Sequence, residues 1–197
     1  DRLIRIFVAN HAESVSVIVN EEMKEVQEHL KSLSLPVPLH LVIKSTPSSM
    51  HSFFELSPSL EGGKFCLTTV DTIFKEDEFA SYIKAFEQDD VHDGLMAVTD
   101  YIDDEKPLYV ATDPSLSVTG FMDSAYPGAR YISGGIYCLN QAGIHTLHGC
   151  MNDGVSRMRN YQRRLVEEGV QLKAYPFSKI IDVDHAEDIQ KAENFIY

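Results

Sequence analysis

Residues Ser14 to Lys44 decide what kind of sheet this chain can build. SVSVIV, Ser14 to Val19, alternates as a strand, and LHLVIK, Leu39 to Lys44, returns as another. Between them Asn20, followed by Glu21 and Glu22, opens a helix, because acids are favoured at the positive end of the helix dipole. Met23, Val26, Leu30 and Leu33 share one face of that helix, and Pro36 and Pro38 close it. Strand, helix, strand at this spacing demands a parallel pair joined by a right-handed crossover. The residues ahead of this unit, DRLIRIFVANH, place Leu3, Ile4, Ile6, Phe7 and Val8 at helical spacing, with Asn10 as the stop. A domain seldom opens inside such a helix. The expectation is therefore a single α/β domain over residues 1–197, truncated at its N-terminus and missing its first strand and loop.

A second stretch, KFCLTTVDTIF from Lys64 to Phe74, sets the centre of the sheet. Phe65 to Val70 is the β-branched and apolar run expected of a central parallel strand covered on both faces. Asp71 stands where the run stops. Ligands of open α/β sheets collect outside the carboxyl ends of the strands, so an acid there can hold a divalent metal through its oxygens, or can simply begin a turn. Between the two strand units, STPSSMHSFFEL, Ser45 to Leu56, turns helical, with Ser48 or Ser49 as its cap. The free backbone N–H groups of such a helix start can hold a phosphate or the polar edge of a base; an ordinary capped helix explains the same residues.

Downstream, Phe79, Tyr82, Ile83 and Phe86 make an apolar helical stripe, and Asp93 to Ile102 reads as a strand. LYVATD, VTGFMD and YISGGIYCL follow as short strands, spaced so closely that they extend the sheet in antiparallel or mixed fashion. Gly134 and Gly135 inside the last of them imply a bulge, or a close approach by backbone or ligand. Gln141 to Met151 is helical and carries His145, His148 and Cys150, a spacing that lacks a fourth metal ligand. Gly154 to Glu168 is a helix with Met158, Tyr161 and Leu165 inward; its Arg157, Arg159, Arg163 and Arg164 are surface charges, or phosphate contacts where one meets the crevice. VQLKAYPF, KIIDVD and a last helix with Ile189, Ala192 and Ile196 inward complete the chain.

With 44% hydrophobic residues over 197, a substantial core is available. The formal charge of −13 repels a nucleic-acid backbone, so no nucleic-acid partner is expected. No apolar run approaches the ~20 residues that span a bilayer, so no membrane partner is expected. Cys66, Cys138 and Cys150 are odd in number and widely spaced, which fits a reducing, cytoplasmic setting.

The order of these pieces resembles the sugar-phosphate nucleotidyltransferases, whose Rossmann-like, GT-A-like mixed sheet is flanked by helices. DVDHAEDIQKAE, Asp182 to Glu193, is similar to the family's terminal D-x-D-T-P-E-D-L pattern, placing Asp184 on a metal-binding acid; TTVDT places Asp71 on the other. SGGIYCL resembles the sugar-pocket N-A-G-I-Y, with Ser133 in place of Asn. TPSSMHSFF resembles the nucleobase loop, with Ser48, Ser49 and Met50 in the binding positions. The resemblance further implies that Gly134 and Gly135 line the sugar pocket, that Arg157 or Arg159 meets the sugar phosphate, that Mg²⁺ is the cofactor, and that an NTP and a sugar-1-phosphate are the partners; Lys179, just before the terminal strand, is a further candidate phosphate contact. A homo-oligomer is compatible with it. The family's opening G-x-G-x-R and P-K motif is absent, and GFMDS, Gly120 to Ser124, stands where relatives carry E-K-P; the literal EKP of Glu105 to Pro107 comes too early. A non-catalytic nucleotide-sugar-binding domain of the same fold is the alternative reading. A glycosyltransferase would want its D-x-D at mid-chain, and no G-x-S-x-G elbow supports a hydrolase.

Overall fold

The computed structural model describes residues 1–103, 106–183 and 185–196. The first helix, α1, runs from Arg2 to Ala9, with Asn10 at its C-cap. It leads to β1 (Val15–Val19), α2 (Lys24–Ser32) and β2 (Leu39–Ile43). As the strand–helix–strand pattern requires, β1 and β2 are parallel, with Val15 opposite Leu39 and Val19 opposite Ile43. The chain then forms α3 (Ser49–Leu56), a 3-10 turn at Ser57–Ser59, β3 (Phe65–Thr68), the two-residue β4 (Thr72–Ile73) and α4 (Glu76–Glu87). After these come β5 (Gly94–Thr99), β6 (Tyr109–Thr112), β7 (Val118–Met122) and β8 (Tyr131–Leu139). The last elements are α5 (Gln141–Asn152), α6 (Met158–Glu167), β9 (Leu172–Phe177), β10 (Ile181–Asp182) and α7 (Ala186–Ile196).

In the main sheet the strands run β7-β6-β8-β5-β9, with β3 also on β8. The close spacing of the later strands has the anticipated outcome: β8 is antiparallel to β3, β5 and β6, while β5 and β9 are parallel. All six residues of β5 are buried, because helices cover both of its faces. Its period of two sorts the core. Leu95 and Ala97, with Ile136 and Cys138 of β8, pack under Ile6 of α1 and Phe79, Tyr82 and Phe86 of α4. Met96 and Val98, with Tyr137 and Leu139, pack under Met50 and Phe53 of α3, Ile144 and Leu147 of α5, and Tyr161 and Leu165 of α6. The result is a three-layer α/β/α domain with a mixed sheet.

Three elements differ from their expected form, two of them for a local polar reason. α2 starts at Lys24 and buries Gln27 and Leu30, leaving Met23 half exposed. Gln27 donates its amide protons to the carbonyls of Asn20 (2.8 Å) and Glu21 (3.1 Å), which uses up the expected first turn. β3 stops at Thr68 and its direct neighbour is antiparallel; the chain turns through Thr69 to Asp71 into β4, so Val70 is 82% exposed. In α7 the buried positions are Asp188 and Ala192, while Ile189 and Ile196 face outward. There the Asp188 carboxylate accepts from the backbone N–H of His185 at 3.0 Å and pairs with Lys191 at 3.1 Å, which rotates the helix about this cap.

Candidate active site at the carboxyl edge of the sheet

The strands β3, β5 and β9 run the same way, through β8 and through direct pairing, so their carboxyl ends share one edge. The chain leaving β3 and the chain leaving β9 meet there. β4 pairs with β10 antiparallel, Thr72 opposite Asp182, and the ladder continues in a hydrogen bond from the Val183 N–H to the Asp71 carbonyl at 3.1 Å. Asp71 is thus joined directly to the residue before Asp184; Asp184 itself lies outside the described residues, as does Glu105 of the early EKP.

The Asp71 carboxylate has an oxygen, Oδ1, that is shielded from solvent and has no hydrogen-bond partner among the described residues. A buried carboxylate oxygen without a donor is costly unless something positive completes it. Around it the backbone is pinned by hydroxyls. The buried Thr72 donates to Asp182 Oδ1 at 3.3 Å, and its oxygen lies 2.6 Å from that of Thr69.

The two glycines of β8 adjoin this edge, and they stand in a bulge. The β5–β8 register shifts between Met96 and Val98, where Ala97 alone stands opposite Gly134, Gly135 and Ile136, so the bulge lies in β8. Gly135 adopts φ 72°, where a Cβ is disfavoured, and a Cβ there would stand 3.3 Å from Thr72 Oγ1. A Cβ on Gly134 would fall 2.2 Å from the Ile180 side chain. Next to Ile180, the Lys179 ammonium sits 4.1 Å from the centre of the Tyr101 ring, a cation–π contact. The edge therefore gathers Asp71, Gly134, Gly135 and Lys179 with Thr69, Thr72 and Asp182.

The remaining anticipated residues stand farther along. Ser48 is the N-cap of α3, but its hydroxyl bonds His51 Nδ1 at 2.8 Å and not a backbone N–H; Ser49 is exposed. Met50 is fully buried among Phe53 and the other core residues, so its side chain fills the core. Arg159 is engaged: it pairs with Asp123 at 2.6 Å and donates to the Lys106 carbonyl at 3.1 Å, while Arg163 holds the same Asp123 at 2.7 Å. These guanidiniums, Arg163 first, hold the Asp123 carboxyl below its usual range. Arg157 is exposed at the N-cap of α6 with φ 71°, a conformation rare for a side-chain-bearing residue.

His145, His148 and Cys150 do not assemble. His148 packs edge-on against Phe54, Cys150 is buried, and no group of three or more His, Cys, Asp or Glu side chains gathers among the described residues.

Residue types alone missed a polar relay behind β8. Ser133 donates to Gln162 Oε1 at 3.0 Å, and Gln162 Nε2 reaches the Tyr137 hydroxyl at 3.4 Å. Burial pushes that phenol up to about 12. Thr69 and Thr72, flanking Asp71, were the available signal for the hydroxyl pair; nothing in the sequence marks Gln162.

No family model matches the sequence, and no curated protein matches it at a significant level. Solved structures do match along nearly the whole chain. The inositol-1-phosphate CTP transferase of T. maritima superposes with a TM-score of 0.79 at 18% identity, over 98% of this chain and 80% of that one. A Bacillus anthracis protein assigned as a glucose-1-phosphate thymidylyltransferase gives 0.81 at 14% identity, over 97% and 79%. The chain has the fold of the sugar-phosphate nucleotidyltransferases. HddC from Yersinia pseudotuberculosis shares it with a TM-score of 0.73 at 16% identity, over 98% and 84%. At these identities the likeness concerns the fold, and the chemistry must be argued from the site.

Proposed function

We propose that this domain belongs to a nucleotidyltransferase that joins the nucleoside monophosphate of an NTP to a sugar-1-phosphate and releases pyrophosphate. The observation that carries the reading is the convergence at the carboxyl edge: Asp71, with a shielded oxygen that no described residue donates to, hydrogen-bonded through its backbone to the residue that precedes Asp184. The fold neighbours support the same class, since those described by activity transfer a nucleotide to inositol-1-phosphate or glucose-1-phosphate.

In this reading a phosphate oxygen of the sugar phosphate attacks the α-phosphorus in line, the bond to the bridging oxygen breaks, and pyrophosphate leaves. Such a displacement needs positioning and charge neutralisation more than a side-chain nucleophile. Asp71 and Asp184 would hold Mg²⁺, which supplies charge neutralisation on the phosphate oxygens when bound. Two carboxylates suit it, because Mg²⁺ usually takes one or two carboxylates and completes its shell with water and substrate phosphates. Thr69 and Thr72 hold the Asp71 turn in place. Gly135, at φ 72°, keeps a side chain off Thr72 where β8 passes the Asp71 turn, and Lys179 and Arg157 would supply cations for the sugar phosphate. Arg159 serves by keeping Asp123 and the loop of Lys106 ordered. Ser48 and Ser49 set the start of α3 for the base.

Because the opening G-x-G-x-R and P-K motif is absent from residues 1–197, this chain alone is expected to be inactive, and the direct test is pyrophosphate release on mixing the full-length protein with Mg²⁺, each NTP and a panel of sugar-1-phosphates. Release with at least one pair, abolished by Asp71→Asn, is expected. Silence across the panel, with nucleotide-sugar binding retained, would instead establish a binding domain.

A further inference from the structure

Two of the three cysteines face each other across the sheet. Cys66 of β3 stands directly opposite Cys138 of β8 in an antiparallel ladder, so both side chains leave the same face. The groups around Cys138 decide which kind of antiparallel pair this is. Its N–H donates to the Tyr82 hydroxyl at 2.9 Å, and that hydroxyl donates on to the Leu95 carbonyl of β5. Its carbonyl also points at β5, since a Cβ on Gly94 would stand 2.8 Å from that oxygen. The N–H and C=O of one residue in an antiparallel strand point to the same side, so Cys138 directs both toward β5 and neither toward β3. Cys66 and Cys138 are therefore a non-hydrogen-bonded pair, the narrower kind, with Cα atoms about 4.5 Å apart. A disulfide joins Cα atoms roughly 4.4–6.8 Å apart, so this pair can be bridged without moving either backbone. Their sulfurs are already in contact.

We propose that Cys66 and Cys138 are a modification site, a dithiol that hydrogen peroxide converts into a cross-strand disulfide between β3 and β8. Both thiols lie on the α1 and α4 side of the sheet, Cys138 fully buried with Ile6, Phe79 and Leu95, and Cys66 half-buried beside it. They line a cavity of about 580 Å³ whose rim includes the exposed Glu61 and Gly62, an entry for an oxidant of that size. Cys150 of α5 packs in the core layer on the opposite face, with Leu147 and Leu165, so the sheet separates it from the pair. In the first step the Cys66 thiolate attacks one peroxide oxygen; the O–O bond breaks, hydroxide leaves and takes up the thiol's proton as water, and Cys66 becomes a sulfenic acid. In the second the Cys138 sulfur, losing its proton, attacks the Cys66 sulfur; the S–O bond breaks and that hydroxide also leaves as water. Two thiols give up two electrons and one peroxide is reduced to two waters. Burial, and after it the neighbouring Cys138, push the Cys66 thiol well up, so the first step is slow. The second joins sulfurs already in contact and is fast. The bond locks β3, which leads into the Asp71 turn, onto β8, which carries Gly134 and Gly135. The inference stands on the fold and does not require the proposed reaction.

Treating the folded protein with hydrogen peroxide, alkylating the remaining thiols under denaturing conditions and mapping non-reduced peptides by mass spectrometry tests it. The expected result is a fall from three alkylatable thiols to one, with a bridged Cys66–Cys138 peptide pair lighter by two hydrogens than its reduced form. The oxidised protein should also melt at a higher temperature, and dithiothreitol should reverse the rise. Cys150→Ser is expected to form the same bridge, and Cys66→Ser to leave Cys138 reduced. Three thiols surviving a treatment that oxidises free glutathione in the same tube, a bridge that includes Cys150 or a second molecule, sulfinic acid at Cys66 with no bridge, or a bridge that forms only after denaturation, would each overturn the proposal. Pyrophosphate release plays no part in this readout, so its outcome and that of the reaction assay are separable.

Discussion

Asp71 keeps one carboxylate oxygen out of water with no donor among the described residues, and a shielded polar atom left without a partner costs free energy. Replacing it by Asn removes the charge while preserving shape. The expected result is a melting temperature equal to or above that of the parent, alongside a loss of pyrophosphate release by the full-length protein of at least about a hundredfold. A fall in both together would mean the carboxylate serves the fold. Gly135 makes the opposite kind of contribution. Alanine there meets a left-handed φ of 72° and a contact of 3.3 Å with Thr72 Oγ1, so Gly135→Ala should destabilise by about 1–2 kcal/mol in a denaturant titration. Asp71 was legible because an acid ends a β-branched run, and the glycine pair because glycine is costly inside a strand. Asp182 as the hydrogen-bond partner of Thr72 was not: the two lie 110 residues apart, and only the fold makes them neighbours. Arg157 and Arg159 were equivalent in the sequence, and the difference between them is Asp123 on a distant strand end.

At the scale of elements, α4 secures the sheet through Tyr82. Its hydroxyl donates to the Leu95 carbonyl at 2.5 Å and accepts from the Cys138 N–H at 2.9 Å, bridging β5 and β8 just short of the bulge. Tyr82→Phe leaves a buried N–H and a buried carbonyl to find other partners, and a loss of about 1–3 kcal/mol in chemical denaturation is expected. The junction of α5 and α6 supplies a pH dependence. The Thr146 hydroxyl, and after it Arg164, lower the Glu168 carboxyl; the bonds are 2.6 and 2.7 Å. A depressed carboxyl binds its proton more weakly when folded, so its contribution is present above the ordinary Glu value of about 4.3 and is lost as pH falls through the lower folded value. Thr146→Val should therefore flatten the acid limb of a stability-versus-pH curve, as read from melting temperatures across pH 3–6. The apolar stripe of α4 and the run of β5 were readable because burial there follows simple periods. α2 and α7 were rotated from their apolar faces by Gln27 and Asp188, polar residues whose partners are backbone groups that no periodicity reports.

Over the whole molecule, the domain layers helices against a six-stranded mixed sheet, with β1 and β2 as a separate parallel pair, and its chemistry-bearing turns gather at one edge. The strand–helix–strand opening dictated the parallel pair, and the crowded later strands dictated the mixed extension, so the architecture follows from local pattern. What local pattern could not contain is the pairing of β4 with β10, two residues each, which brings the two ends of the chain's second sheet region onto one site. The account stands on that convergence holding a divalent cation. Titrating Mn²⁺ into isotopically labelled protein and reading paramagnetic broadening of backbone amides tests it most directly. Broadening centred on Thr69–Thr72, Gly134–Gly135 and Asp182–His185, displaced by Mg²⁺ and abolished in Asp71→Asn, is the predicted result; broadening spread over exposed acids elsewhere, unchanged by that substitution, would contradict it.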